Sequence, residues 1–125
     1  MSAILCIGKD PQLLGTRAAL LRLTGAEVFT SDLHDAPAAL DQRNFDLVLL
    51  CHSFSIDEAL QMQEAVHRQF PRMQVVRLTS SRGVGSYRAT GGFDAIVDVE
   101  PATLLRTVIA LLANPRAPIA EYSAH

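Results

Sequence analysis

Apolar residues along the chain follow two alternating rhythms. Five short runs, "AILCI" (3–7), "EVFT" (27–30), "DLVLLC" (46–51), "QVVRL" (74–78) and "DAIVDV" (94–99), are rich in β-branched residues and too short for buried helices. They predict five strands. Between them apolar residues recur every three or four positions. Leu14, Ala18 and Leu21 form one helical face behind an Asp10-Pro11 start and before Gly25. A shorter helix is predicted over about Asp35–Arg43. Ser55 and Glu58 have capping-box spacing, followed by Ala59, Met62, Val66 and Phe70 up to Pro71. Leu104, Leu105, Val108, Leu111 and Leu112 mark a closing helix after Pro101.

Two segments are poorer in signal. "SRGVGSYRATGG" (81–92) holds four glycines, so a fourth helix there is expected to be short and irregular. "NPRAPIAEYSAH" (114–125) has two prolines and no apolar period, and reads as a flexible C-terminal tail or the stub of a linker behind a domain of residues 1–113.

Strands alternating with helices imply an α/β fold: a parallel sheet with helices on both faces. For one domain of this size the expected architecture is a flavodoxin-like (βα)5 sandwich with strand order 2-1-3-4-5. Its crevice lies at the carboxyl ends of strands 1, 3 and 4. Those ends are Gly8-Lys9-Asp10, Cys51-His52-Ser53 and Thr79-Ser80-Ser81.

Composition narrows the function classes. The 125 residues are 49% hydrophobic and 19% charged, as in a globular domain. A formal net charge of −2 gives no basic footprint for nucleic acid. No apolar run approaches bilayer length and no signal-like N-terminus is visible, so a cytoplasmic location is expected. The two cysteines, Cys6 and Cys51, fall inside strand-like runs, where reduced buried thiols usually sit. Ten of the eleven basic residues are arginine, which leaves Lys9 as the single lysine.

The pieces "ILCIGKDPQLLGTRAALLRLTGAEV", "FDLVLLCHSF", "VVRLTSS" and "GFDAIVDVEPATLLRTVIALL" stand in the order and spacing of a response-regulator receiver domain, which the chain resembles over about residues 3–113. The resemblance implies a site in two-component signal transduction: a histidine kinase transfers a phosphoryl group to an aspartate ending the third strand. An acidic pair after strand 1 helps to hold Mg²⁺, a hydroxyl after strand 4 binds a phosphoryl oxygen, and a lysine ending strand 5 supplies positive charge. Carried over by position, the acidic pair falls on Gly8 and Lys9, with Asp10 just after it. The phosphoacceptor falls on Cys51 and the hydroxyl on Thr79. The lysine falls within Val97–Val99, where there is none. Cysteine cannot form the acyl phosphate. The chain therefore resembles a degenerate receiver, a pseudo-receiver outside the phosphorelay chemistry.

Each of these residues also has a plain reading. Cys51 is either a reactive thiol or a small residue filling the aspartate's space. Cys6 is expected several residues deeper on the neighbouring strand, which argues against a designed pair. Lys9 is a built-in cation or a solvated loop lysine. Asp10 before Pro11 is a helix cap more naturally than a metal ligand. His52, His34, His67 and His125 lack ligand spacing, so no metal is expected. The glycines after strand 4 do not make a nucleotide fingerprint. No catalytic residue and no cofactor is predicted.

The function expected is a non-enzymatic module that binds a protein partner or output domain without phosphorylation. By resemblance, the contact or homodimer face is formed by helix 4, strand 5 and helix 5, with Arg82, Arg88 and Arg106 as candidate contacts. The alternative is a sensor of a small ligand or anion in the crevice at the ends of strands 1, 3 and 4. An enzyme using Cys51 comes third.

Overall fold

The run Leu47–Leu50 is wholly buried, and its side chains alternate between two apolar layers. Leu47 and Leu49 face one layer, Val48 and Leu50 the other. This is the central strand, β3, of a sheet seen in a computed structural model that describes residues 2–79, 86–87 and 93–113. The strands are β1 (Ala3–Ile7), β2 (Glu27–Ser31), β3, β4 (Gln74–Thr79), β5 (Ser86–Tyr87) and β6 (Ala95–Asp98). They lie in the order β2-β1-β3-β4-β6-β5. The five long strands are parallel, in the 2-1-3-4-5 order of a flavodoxin-like fold.

The sheet has one strand more than expected. Ser86–Tyr87, inside the glycine-rich segment assigned to a short helix, pairs antiparallel with β6. Helix propensity there is weak, and β6 would otherwise expose a row of unpaired backbone groups that this segment meets instead. The remainder of 81–92, including Arg82 and Arg88, and the tail 114–125 lie outside the described residues.

Among the described residues three α-helices connect strands and a fourth follows β6. Helix α1 (Pro11–Leu21) runs on as a single 3₁₀ turn, Arg22–Thr24, before Gly25 stops it at φ 88°. That left-handed geometry suits glycine. Helix α2 spans Ala36–Gln42. Helix α3 (Ile56–Gln69) carries the expected capping box, with Glu58 N–H donating to Ser55 Oγ and Ser55 N–H to Glu58 Oε1. Helix α4 (Pro101–Ala113) closes the chain.

The two layers follow from the pleat. Leu14, Ala18 and Leu21 of α1 and Leu104, Val108 and Leu111 of α4 cover the face of Ile4, Cys6, Leu49 and Val97. Leu40 of α2 and Ala59, Met62 and Val66 of α3 cover Leu5, Ile7, Val48 and Leu50. One polar side chain is buried across the first layer: Gln74 Nε2 donates to Leu111 O at 3.1 Å and ties β4 to α4. Strand order reverses between β1 and β3, with β2 on one side and β4 on the other. In open α/β sheets this switch point opens a crevice at the carboxyl ends of the strands.

Candidate functional site

At the switch point Gly8, Cys51 and Thr79 end three neighbouring strands. The pairing continues through them: Cys51 N–H donates to Ile7 O at 2.9 Å, Gly8 N–H to Ser31 O at 3.1 Å and Val99 N–H to Thr79 O at 3.2 Å. The expected residues are therefore gathered at one end of the sheet. Cys51 follows the last residue of β3, at the rim of the core, and its N–H extends the ladder to β1.

Position 8 is tight for a side chain. A Cβ built on Gly8 would sit 3.0 Å from Leu14 Cδ2 and 3.2 Å from both Cβ and Sγ of Cys51, so these side chains would have to give way to admit one.

Lys9 bridges two loops. Its Nζ donates to Glu58 Oε1 at 2.7 Å and lies 5.8 Å from the centroid of the buried Phe54 ring. Its backbone N–H donates to Ser53 Oγ at 3.4 Å. The same Glu58 oxygen accepts Ser55 N–H, so one carboxylate closes the cap of α3 and anchors the loop after β1. The Lys9 bond, followed by the Ser55 backbone bond, holds the Glu58 carboxyl below its usual range. Asp10 is committed elsewhere: its Oδ1 accepts Gln12 N–H at 2.9 Å and Leu13 N–H at 3.4 Å as the N-cap of α1. Mg²⁺, which the receiver resemblance implies, does not fit this arrangement. The cation needs clustered carboxylate oxygens, whereas an ammonium group and a glycine occupy the expected ligand positions. Among the described residues no three His, Cys, Asp or Glu side chains are placed to hold a metal ion.

The expectation that Cys6 lies too deep to meet Cys51 is wrong. Their sulfurs are 3.7 Å apart, both thiols are free, and one can donate a hydrogen bond to the other. Cys6 pairs with Leu49 in the β1–β3 register, so Cys51, two residues on, points to the same face. The thiols lean across this offset beneath α1. Their shared hydrogen bond raises the proton affinity of Cys6, and burial adds to the effect; it lowers that of Cys51, as does the positive charge of Arg17. The contact thus makes Cys51 the more acidic of the two thiols.

Arg17 is the residue that sequence reasoning missed. One of its terminal nitrogens donates to Val99 O at 3.5 Å, and its Nε is buried without a partner among the described residues. A cation is thus brought from α1 to the end of β6, the strand on which the lysine position fell. The signal was its place on the inward flank of α1, between Leu14 and Ala18. In the span expected to hold the lysine, Val97 and Asp98 are buried and Val99 is half-buried. His52 Nδ1, beside Cys51, is also buried and unpaired. Arg106 stands on the exposed side of α4, where its guanidinium approaches Thr103 Oγ1 at 3.5 Å.

No protein-family model and no curated protein matches the chain. Solved structures do match its fold. A CheY-like response regulator receiver domain from Methanospirillum hungatei superposes with a TM-score of 0.73 at 21% identity, covering 92% of this chain and 96% of that one. The response regulator TrrA of Thermotoga maritima, solved with Mg²⁺ and beryllium fluoride, gives 0.73 at 20%, covering 89% and 99%. An atypical orphan response regulator, described as having a phosphorylation-independent regulatory mechanism, gives 0.69 at 18%, covering 90% and 96%. The chain has the fold of CheY-like receiver domains.

Proposed function

We propose that this chain is a receiver-like signalling module that acts through protein–protein contact without phosphoryl transfer, and that it is not an enzyme. The observation that carries the reading is the Lys9–Glu58 pair. An ammonium group bonded at 2.7 Å to a carboxylate already joins the loop after β1 to α3, the two segments that flank the crevice. Phosphoryl transfer needs clustered positive charge around a carboxylate nucleophile, and here the nucleophile position is a buried thiol. With its loops held by a fixed ion pair, the module presents one surface constitutively. The outer side of α4, with exposed Arg106 and Ile109 one turn apart, is the face offered to an output domain or a second copy. No helix among the described residues is long and apolar enough to cross a membrane. The free thiols suit a reducing cytoplasm.

The test is an amide NMR titration with Mg²⁺, then Mg²⁺ plus beryllium fluoride. The expected result is no saturable shift at Gly8, Cys51 or Thr79. Saturable shifts at those three would overturn the reading. A second reading, an anion sensor in the same crevice, draws on the buried unpaired Nε of Arg17. Inorganic phosphate added without Mg²⁺ would then shift Arg17 and Thr79.

A further inference from the structure

We infer that Cys6 and Cys51 form a reversible intramolecular disulfide when a hydroperoxide reaches the crevice, making this thiol pair an oxidative modification site. Geometry supplies three requirements. The sulfurs are in contact at 3.7 Å, and both are reduced. The two cysteines differ in access: Cys6 is 0% exposed in the middle of β1, whereas Cys51 is 4% exposed one residue past the end of β3. The outer thiol is thus the one that meets a small oxidant, and the inner thiol is placed to resolve the product. Finally, Cys51 stands two residues beyond Leu49, the β3 partner of Cys6, on the same face of the sheet, where the positive charge of Arg17 makes it the more acidic thiol.

The chemistry balances in two steps. The Cys51 thiolate attacks one peroxide oxygen and the O–O bond breaks. Cys51 becomes a sulfenic acid, and the departing hydroxide takes a solvent proton to give water. Cys6 sulfur then attacks Cys51 Sγ. The S–O bond breaks, the hydroxide leaves with the Cys6 proton as a second water, and the S–S bond forms. Two thiols have lost two electrons, and the peroxide has been reduced to two waters.

Closing the sulfurs from 3.7 Å to the bonded length of about 2.0 Å must draw the end of β3 toward β1. Cys51 stands at the end of β3, held to β1 by its N–H bond to Ile7 O. Its displacement carries Ser53, and with it the Ser53–Lys9 contact. This chemistry is independent of what the module binds.

The experiment treats the reduced full chain with stoichiometric hydrogen peroxide, followed by acid quench, denaturation, alkylation and mass spectrometry. The expected result is loss of two hydrogen masses, complete loss of alkylatable thiol, and a tryptic link between fragments 1–9 and 44–68. Glutathione should restore both thiols. Cys6→Ala should stop at a dimedone-reactive sulfenic acid, and Cys51→Ala should leave Cys6 unoxidised. Two intact thiols after treatment, a link between two chains, or oxygen added to either cysteine of the wild-type chain without the internal link would overturn the inference.

Discussion

Lys9 Nζ and Glu58 Oε1 lie 2.7 Å apart, and this one bond joins the loop leaving β1 to the first turn of α3. Its strength follows the charge of Glu58. Because the folded-state pKa is lowered, the pair's contribution is fully present above the unfolded carboxylate value of about 4.3 and is lost as pH falls through the lower folded value. In a carboxyl NMR titration Glu58 should therefore titrate below the ordinary glutamate value. Lys9→Ala should move it upward, and molar salt should do the same. A Glu58 midpoint unmoved by Lys9→Ala would show that the pair does not form.

Two glycines should respond in opposite directions to the same substitution. Gly15 lies inside α1 with nothing within 4 Å of an added Cβ, so Gly15→Ala should raise stability by about 0.5–1 kcal/mol. Gly8→Ala meets Leu14 and Cys51 and should lower it by about 1–3 kcal/mol, with Gly8→Asp worse. Urea unfolding midpoints, at unchanged slope, would measure both.

Asp10 should behave as a cap. Asp10→Ala should cost about 1 kcal/mol, whereas Asp10→Asn and Asp10→Ser should recover most of the loss, since each keeps an acceptor for the Gln12 and Leu13 N–H groups. Thermal unfolding of the three variants gives the ranking. A metal-ligand role would predict instead that Asp10→Asn resembles Asp10→Ala and that Mg²⁺ stabilises only the parent.

Restoring a carboxylate at position 51 should not restore phosphorylation. In Cys51→Asp the new group would sit against Cys6 in an apolar layer, with a glycine and a lysine at positions 8 and 9 in place of the carboxylates that would help to hold a divalent cation. We expect a loss of about 1–3 kcal/mol from the poorly solvated polar group. Intact-mass analysis after incubation with acetyl phosphate should show no phosphoryl adduct.

The fold was legible where its signals are local. The capping box at Ser55 and Glu58, the Asp10-Pro11 start and the buried runs around Leu47–Leu50 depend on neighbours in sequence, and the structure has them there. The thiol contact was not legible, because it depends on which residue of β3 stands beside Cys6. A shift of one residue would have turned Cys51 to the opposite layer. Lys9 was noticed, but its partner Glu58, 49 residues away, was assigned only to its local cap. Arg17 went unremarked because its role lies in the reach of a long side chain across the sheet end. The strand at Ser86–Tyr87 is two residues long and exists only because β6 lies beside it, so no periodicity could reveal it.

That short strand also bears on how the molecule behaves at high concentration. A parallel sheet ending on a long bare edge would be a template for further chains, the first step of fibril growth. Here β5 covers β6 in reversed orientation and offers an incoming chain only two residues of edge. At the other margin, on β2, Arg43 stacks its guanidinium 4.0 Å above the Phe29 ring and lies 3.7 Å from Glu27, setting charge along that rim. Among the described residues the short β5 and the charged rim of β2 are thus features that disfavour edge-to-edge polymerisation.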